Sequence, residues 1–251
     1  MYMDYQNENF SRETQIVLPG TTSQVTVKNF MANVFSLMFL ALGISAAFAF
    51  LFSNNLQLLA YLIDFTTGKL NMLGYIVMFA PLGFVLLMSF GYARLSAPIM
   101  MLLFILYAAI TGISFSFILL AYTSGSILGC FLSAAGMFGV MAFMGYTTKQ
   151  DLTSFGRILM MALIGIIIAS VINFFMNSNT MDYVISFIGV MVFTGLTAYD
   201  VQKLKRIGEG IEAEGTPAVE VKKRSVMGAL SLYLDFINIF LFLLRLFGSR
   251  K

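Results

Sequence analysis

Two aspartates stand where carboxylates are rare. Asp200 falls near the end of the stretch Val192-Phe193-Thr194-Gly195-Leu196-Thr197-Ala198-Tyr199-Asp200-Val201-Gln202, and Asp235 lies inside Ser231-Leu232-Tyr233-Leu234-Asp235-Phe236-Ile237-Asn238. They are the only acidic residues within membrane-length apolar runs. An ionisable group at membrane depth is costly, so each marks a candidate functional position. Two carboxylates in contact cannot both ionise cheaply, and such a pair titrates as a unit. The chain has no histidine, which leaves this pair as its candidate proton sensor near physiological pH. Clustered carboxylate oxygens also suit a hard cation such as Ca²⁺. The plain alternative is a structural, hydrogen-bonded pair.

The elements that must position these residues follow from composition. Of 251 residues, 59% are hydrophobic and 11% charged, against about 25% charged in a soluble domain. So few charges cannot cover a globular surface, and the chain reads as a multi-pass membrane protein, all-α, with the lipid bilayer as its first partner. Residues 1–30 are polar and lack the basic start and short apolar core of a signal peptide. They are expected to form a polar tail ahead of a transmembrane domain over 31–251. Seven apolar runs are long enough to span: about 31–52, 72–93, 98–121, 126–146, 158–176, 183–202 and 226–247. Pro81 falls inside the second run, where it removes a helix hydrogen bond. Ala108, Gly112 and Ser116, and likewise Gly125, Gly129 and Ser133, recur at i+4 and are expected to be packing stripes. The charged stretch 203–225, with Gly208, Gly210, Gly215 and Pro217, reads as a loop.

Basic residues orient the spans. One side carries Arg12, Lys28, Arg94, Lys149, Arg157, Lys203, Lys205, Arg206, Lys222, Lys223 and Arg224. The other carries Lys69, Arg245, Arg250 and Lys251. The N-terminus is therefore expected in the cytoplasm. Asp200 then lies just inside the cytoplasmic end of the sixth span. Asp235 is nine residues past Val226, about 13 Å deep at 1.5 Å per residue. On the seventh span Ser231, Asp235 and Asn238 share a polar face that Arg245 continues, and on the sixth Thr197 sits three residues before Asp200. Thr197, Ser231 and Asn238 are the supporting polar residues of the site. Arg94 ends the second span on the same side as Asp200 and is the candidate latch that pairs with it. Its alternative partner is lipid phosphate.

Composition also excludes chemistry. Without histidine there is no His-based triad, zinc site or haem ligation. Cys130 is the single cysteine, so no intramolecular disulfide forms. The formal charge of +3 is concentrated in loops and suits topology rather than nucleic-acid binding. An intramembrane aspartyl protease would also place aspartates on two neighbouring helices, and Tyr199-Asp200 fits. The expected Gly-x-Gly-Asp, however, reads Leu232-Tyr233-Leu234-Asp235, and no Pro-Ala-Leu follows. A retinal protein needs a lysine in the last span, and 226–247 has none. The chain is expected not to be an enzyme and to need no cofactor.

At the aspartates the sequence resembles a known family. Phe193-Thr194-Gly195-Leu196-Thr197-Ala198-Tyr199-Asp200-Val201-Gln202 is similar to the signature of the bacterial branch of the Bax inhibitor-1 family, the transmembrane Bax inhibitor motif proteins. Leu232-Tyr233-Leu234-Asp235-Phe236-Ile237-Asn238 resembles its last-helix motif. Tyr146-Thr147-Thr148-Lys149-Gln150-Asp151-Leu152-Thr153 resembles a loop of its bacterial members. The resemblance covers about residues 25–251. It implies a seven-helix bundle in the bacterial inner membrane with the last helix near the centre. It implies a pH-sensitive calcium leak with Asp200 and Asp235 as sensor, ion pathway and transient calcium ligands, and an arginine latch from the second helix. Some bacterial members instead bind and restrain a membrane-embedded ATP-dependent protease, which is the alternative function. The stretch 203–225 is longer than the family pattern.

The orientation is testable. With Cys130 replaced, single cysteines in 203–225 should resist membrane-impermeant thiol reagents on intact cells. Labelling there from outside would reverse the assignment.

Overall fold

The computed structural model describes residues 19–251. Among the described residues eight helices follow one another: α1 (Pro19–Ser53), α2 (Leu56–Ala60), α3 (Met72–Gly91), α4 (Ala97–Ala121), α5 (Ser124–Thr147), α6 (Thr153–Met176), α7 (Asn179–Ala213) and α8 (Ala218–Phe247). A two-stranded hairpin, β1 (Ile63–Asp64) and β2 (Lys69–Leu70), lies between α2 and α3, with Ile63 opposite Leu70 and Asp64 opposite Lys69. The Asp64 carboxylate accepts hydrogen bonds from the Thr66 hydroxyl, the Thr66 backbone and the Thr67 hydroxyl. Those bonds hold its pKa below the usual carboxylate range.

All helices except α2 contain a stretch long and apolar enough to cross a membrane, seven in total. Their burial separates lipid-facing from enclosed helices. In α3 and α6 only 11% of the most apolar stretch is buried, whereas in α8 the share is 72%. The last helix packs against α1, α4, α5 and α7. Its far end is tied by Arg245 to Asp182 of α7 at 3.6 Å, and by the backbone of Ser249 and Lys251 to Thr123 and Ala121 at the α4–α5 turn. Inside the bundle Tyr107 and Tyr233 meet edge to face with centroids 5.4 Å apart. The Ser45 hydroxyl hydrogen-bonds the Tyr233 hydroxyl and donates to the Ala108 carbonyl, each at 2.7 Å. These bonds join α1, α4 and α8 at buried positions.

Three features differ from the sequence expectations. First, 203–225 is not a loop. α7 runs on to Ala213 and α8 starts at Ala218, leaving a turn at 214–217. Val201, Leu204 and Ile211 recur at helical spacing and are buried, so packing extends α7 through the charged segment. Gly215, at φ +58°, takes the left-handed position that reverses the chain, and Arg224 pairs with Glu214 across the turn at 3.3 Å. Second, α1 reaches back to Pro19, so the later part of the expected polar tail is helical. Val27 and Phe30 are buried and close on Gly208 of α7. Residues 1–18 of that tail lie outside the described residues. Third, only one small-residue stripe packs. Ala108, Gly112 and Ser116 are buried, with Gly112 against the Ser45 backbone. Gly125 and Gly129 meet nothing, and Ser133 is exposed, its hydroxyl donating to the Gly129 carbonyl at 2.9 Å. The packed face of α5 is instead Cys130, Ala134, Phe138, Ala142 and Gly145.

Gly145 and Gly129 therefore make a paired test. A Cβ at Gly145 collides with the Ala198 carbonyl of α7, while one at Gly129 enters open space. Gly145→Ala should destabilise the detergent-solubilised protein by about 1–3 kcal/mol through overpacking. Gly129→Ala should be neutral or stabilising by up to about 1 kcal/mol from helix propensity. Thermal midpoints of both variants check this, and equal shifts would refute the assigned packing faces.

Candidate functional site

The segment of α7 that carries Asp200 is held on both sides. Gly145 of α5 lets that helix touch the backbone at Ala198, and Gly156 of α6 lies under the Tyr199 ring. Gln202, buried, accepts from the Leu152 backbone at 2.9 Å and donates to the Gln150 carbonyl at 2.7 Å. The α5–α6 loop, part of Tyr146–Thr153, thus braces the helix next to Asp200. In that loop Asp151 pairs with Arg206 of α7 at 2.8 Å, and bonds from Thr153 and Arg206 hold its carboxyl well below the usual range.

Asp200 itself is half-buried and lines a cavity of about 530 Å³ at the α7–α8 turn end of the bundle. Ser89 of α3 and Tyr92 at its C-cap, Lys203 and Leu204 of α7, and Arg224 and Ser231 of α8 are among the residues that line it. Ser231 and Asp200 therefore share one space. Asp235 lies one helical turn beyond Ser231, 4% exposed, and its Oδ2 has no hydrogen-bond partner among the described residues. No hydrogen bond joins the two carboxylates among the described residues, although Asp200 is near enough for its charge to act on Asp235. Past Asp235, Ile237 and Phe240 line a second cavity of about 340 Å³ with Ser45, Ile127 and Phe131. That cavity is apolar apart from Ser45. Phe236 meets Phe131 and Phe138 edge to face, with centroids 5.3 and 5.7 Å apart. Asp235 thus sits on α8 between a polar cavity and an apolar one, beside a cluster of aromatic rings.

The supporting polar residues divide. Ser231 faces the Asp200 cavity. Thr197 is buried and donates to the Phe193 carbonyl of its own helix at 2.9 Å, and Asn238 donates to the Leu234 carbonyl at 2.8 Å. Both satisfy themselves locally, as short polar side chains in apolar helices commonly do.

Arg94 does not latch Asp200 in this structure. It is exposed and forms no ion pair among the described residues. It stands in the turn after α3 has ended at Gly91, where its side chain reaches solvent at little cost. The cation acting on Asp200 is Lys203 of the same helix. The α3 side that faces the bundle ends in Tyr92, whose hydroxyl donates to the Glu220 carboxylate of α8. Glu220 also pairs with Lys223 at 3.7 Å and Arg224 at 3.8 Å, and the Lys223 ammonium stands 4.5 Å from the Tyr92 ring centroid. Burial and the neighbouring carboxylate push the Tyr92 hydroxyl up to about 12, so it remains a donor at physiological pH. The sequence reading passed over this group. Its trace is Glu220-x-x-x-Arg224, an i,i+4 pair of the kind that supports a helix and is unusual in a loop.

Comparison with known proteins agrees with the seven-span bundle. Residues 27–251 match the family model described as Inhibitor of apoptosis-promoting Bax1. The chain is 43% identical to the inner membrane protein YbhL of Escherichia coli, over 97% of this chain and the whole of that protein. It is 42% identical to an uncharacterised protein of Borreliella burgdorferi, over 94% of this chain and 99% of that one. It is 40% identical to the protein RP147 of Rickettsia prowazekii, over 90% and 91%. A membrane bundle of seven apolar spans, matched along nearly its whole length, belongs to the Bax inhibitor-1 family.

Proposed function

We propose that this protein is a pH-sensitive calcium leak of a bacterial inner membrane, with Asp200 and Asp235 as its sensor and ion pathway. One observation carries the reading: a buried carboxyl oxygen without a donor, on the enclosed helix α8, placed between two cavities. A carboxyl group in such a place is balanced either by a proton or by a cation. That choice is the elementary act of a proton-gated cation leak. Ca²⁺ here is cargo. Among the described residues no three His, Cys, Asp or Glu side chains gather around one point. A passing ion would be held by the two carboxylates, with hydroxyl, carbonyl and water oxygens filling the six to eight positions Ca²⁺ takes. The excess of basic residues on that side supports a cytoplasmic 203–225 end, which makes the Asp200 cavity the inner vestibule. The aromatic rings beside Asp235 and the apolar cavity past it form the closed outer half.

The direction of gating follows from charge. While Asp200 is ionised it attracts the cations that line its cavity, Lys203 of α7 and Arg224 of α8, and protonation removes that attraction. Acidification is therefore expected to loosen the vestibule and open the leak, at the expense of weaker ion capture. The extension of α7 and α8 beyond their apolar cores supports a second reading. In it the same charged helical hairpin docks a membrane-embedded ATP-dependent protease, and the protein restrains that partner without conducting.

Reconstitution separates the two readings. Liposomes holding only the purified protein should pass calcium, with flux rising as pH falls from about 8 to about 6. Asp235→Asn should flatten that profile, because the pair loses its shared titration. Asp200→Asn should raise flux at the alkaline end, because the attraction to Lys203 and Arg224 is already gone. An absence of flux favours the restraining role. A leak whose pH profile survives both substitutions unchanged refutes the sensor.

A further inference from the structure

α3 is the least anchored wall of the Asp200 cavity. It packs chiefly on α4 and strand β2, and only Gly74 and Met88 along it are fully buried. At its first turn it is held by the hairpin: Gly74 abuts the Leu62 carbonyl, and Asn71, its N-cap, donates to the Tyr61 carbonyl. A bond from Ser114 of α4 to the Val77 carbonyl, 2.7 Å, secures the stretch before Pro81. Beyond Pro81 the helix is held by the buried Met88, by Phe84 and Val85 half-buried against the core, and by the polar group at Tyr92. That half carries Ser89 and Tyr92, which face Asp200 across the cavity.

We propose that Tyr92, Glu220 and Lys223 form a clasp that fixes the end of α3 to the start of α8 and so sets access to the Asp200 cavity. The proposal rests on that cavity being the working site and adds the residues that guard it. Its parts reinforce one another. The Tyr92 hydroxyl donates to an ionised carboxylate, a stronger bond than one between neutral groups. The Lys223 ammonium, largely buried, stands over the Tyr92 ring while pairing with the same carboxylate. Arg224 extends the group to Glu214 at the α7–α8 turn and lines the cavity itself. The clasp therefore couples three elements: the half of α3 past its proline, the start of α8 and the end of α7. Pro81 supplies the weak point about which the unclasped half of α3 would swing, since proline donates no backbone bond there.

Tyr92→Phe removes only the hydroxyl and keeps the ring beneath Lys223. The readout is thiol accessibility, which needs no ion flux. In protein carrying Ser231→Cys, a water-soluble maleimide reports entry to the cavity. The native Cys130, buried in the bundle, reports general loosening in the same molecule, with the two sites resolved by peptide mass spectrometry. Tyr92→Phe should speed modification at Ser231→Cys by about tenfold, as expected on losing one hydrogen bond to a charged group, while Cys130 keeps its rate. Glu220→Gln should act in the same direction and at least as strongly, since it also removes the pairings with Lys223 and Arg224, and the double variant should not exceed Glu220→Gln by more than about twofold, because the charged partner of Tyr92 is already lost there. An unchanged rate at Ser231→Cys overturns the clasp. So does an equal acceleration at Cys130, or a double variant showing the product of the two single effects. A protein that labels as expected yet conducts no calcium keeps the clasp and loses the leak.

Discussion

A carboxylate below the membrane surface constrains everything packed around it. Water is absent there, and each charged or polar group must find a partner within the protein or be neutralised. Asp235 is enclosed on α8 with one oxygen lacking a donor. Enclosing it requires neighbours on several sides, and α1, α4, α5 and α7 supply them. The most buried helix is thus the one carrying the least tolerable side chain. Around it, polar groups that need not react are bonded locally: Thr197 and Asn238 to their own helices, Ser45 and Tyr233 to each other. Thr111, Ser186 and Thr194 leave only neutral hydroxyls open, so Asp235 is the one acid among the buried side chains without a partner in the described residues.

Close backbone approach is what makes that enclosure possible. Without a hydrophobic driving force between helices in lipid, association depends on packing and on hydrogen bonds across helices. Gly112 brings α4 against α1 at Ser45, and Gly145 brings α5 against α7 at Ala198, two residues before Asp200. The second contact fixes the depth and rotation of α7, and Gln202 fastens the same turn to the α5–α6 loop. Asp200 is thereby held at a cavity edge rather than in lipid.

The helices differ in how firmly they are held, and that difference has a direction. α8 is bonded at both ends and enclosed along its length, whereas α3 is largely lipid-facing and carries a proline midway. Helices with few buried contacts and few bonds to the core supply the low-energy openings of a fold. The carboxylate-bearing helix thus faces a loosely held neighbour across a cavity, the arrangement on which the proposed leak relies. The polar group joining Tyr92 to Glu220 lies at the free end of that neighbour, where a single bond has the most leverage.

The sequence by itself determined the class of protein, the seven spans and the two aspartates. Each is a property of one segment: apolar length suffices to span a bilayer, and a carboxylate inside such a run stands out without knowledge of its neighbours. Tertiary structure decided everything that depends on which faces meet. Gly125, Gly129 and Ser133 have the same spacing as Ala108, Gly112 and Ser116, yet one stripe faces outward and the other is buried, because spacing defines a face without saying what it meets. The charges of 203–225 read as a loop, but Val201, Leu204 and Ile211 bury a helical face that carries α7 past the apolar core. Arg94 was the natural partner for Asp200 by sign and side. Two residues earlier, Tyr92 falls at the end of α3 on the side that faces the bundle, and it bonds Glu220 instead. Sign and depth are written along the chain, whereas the rotation of each helix about its axis is set only when its neighbours close on it.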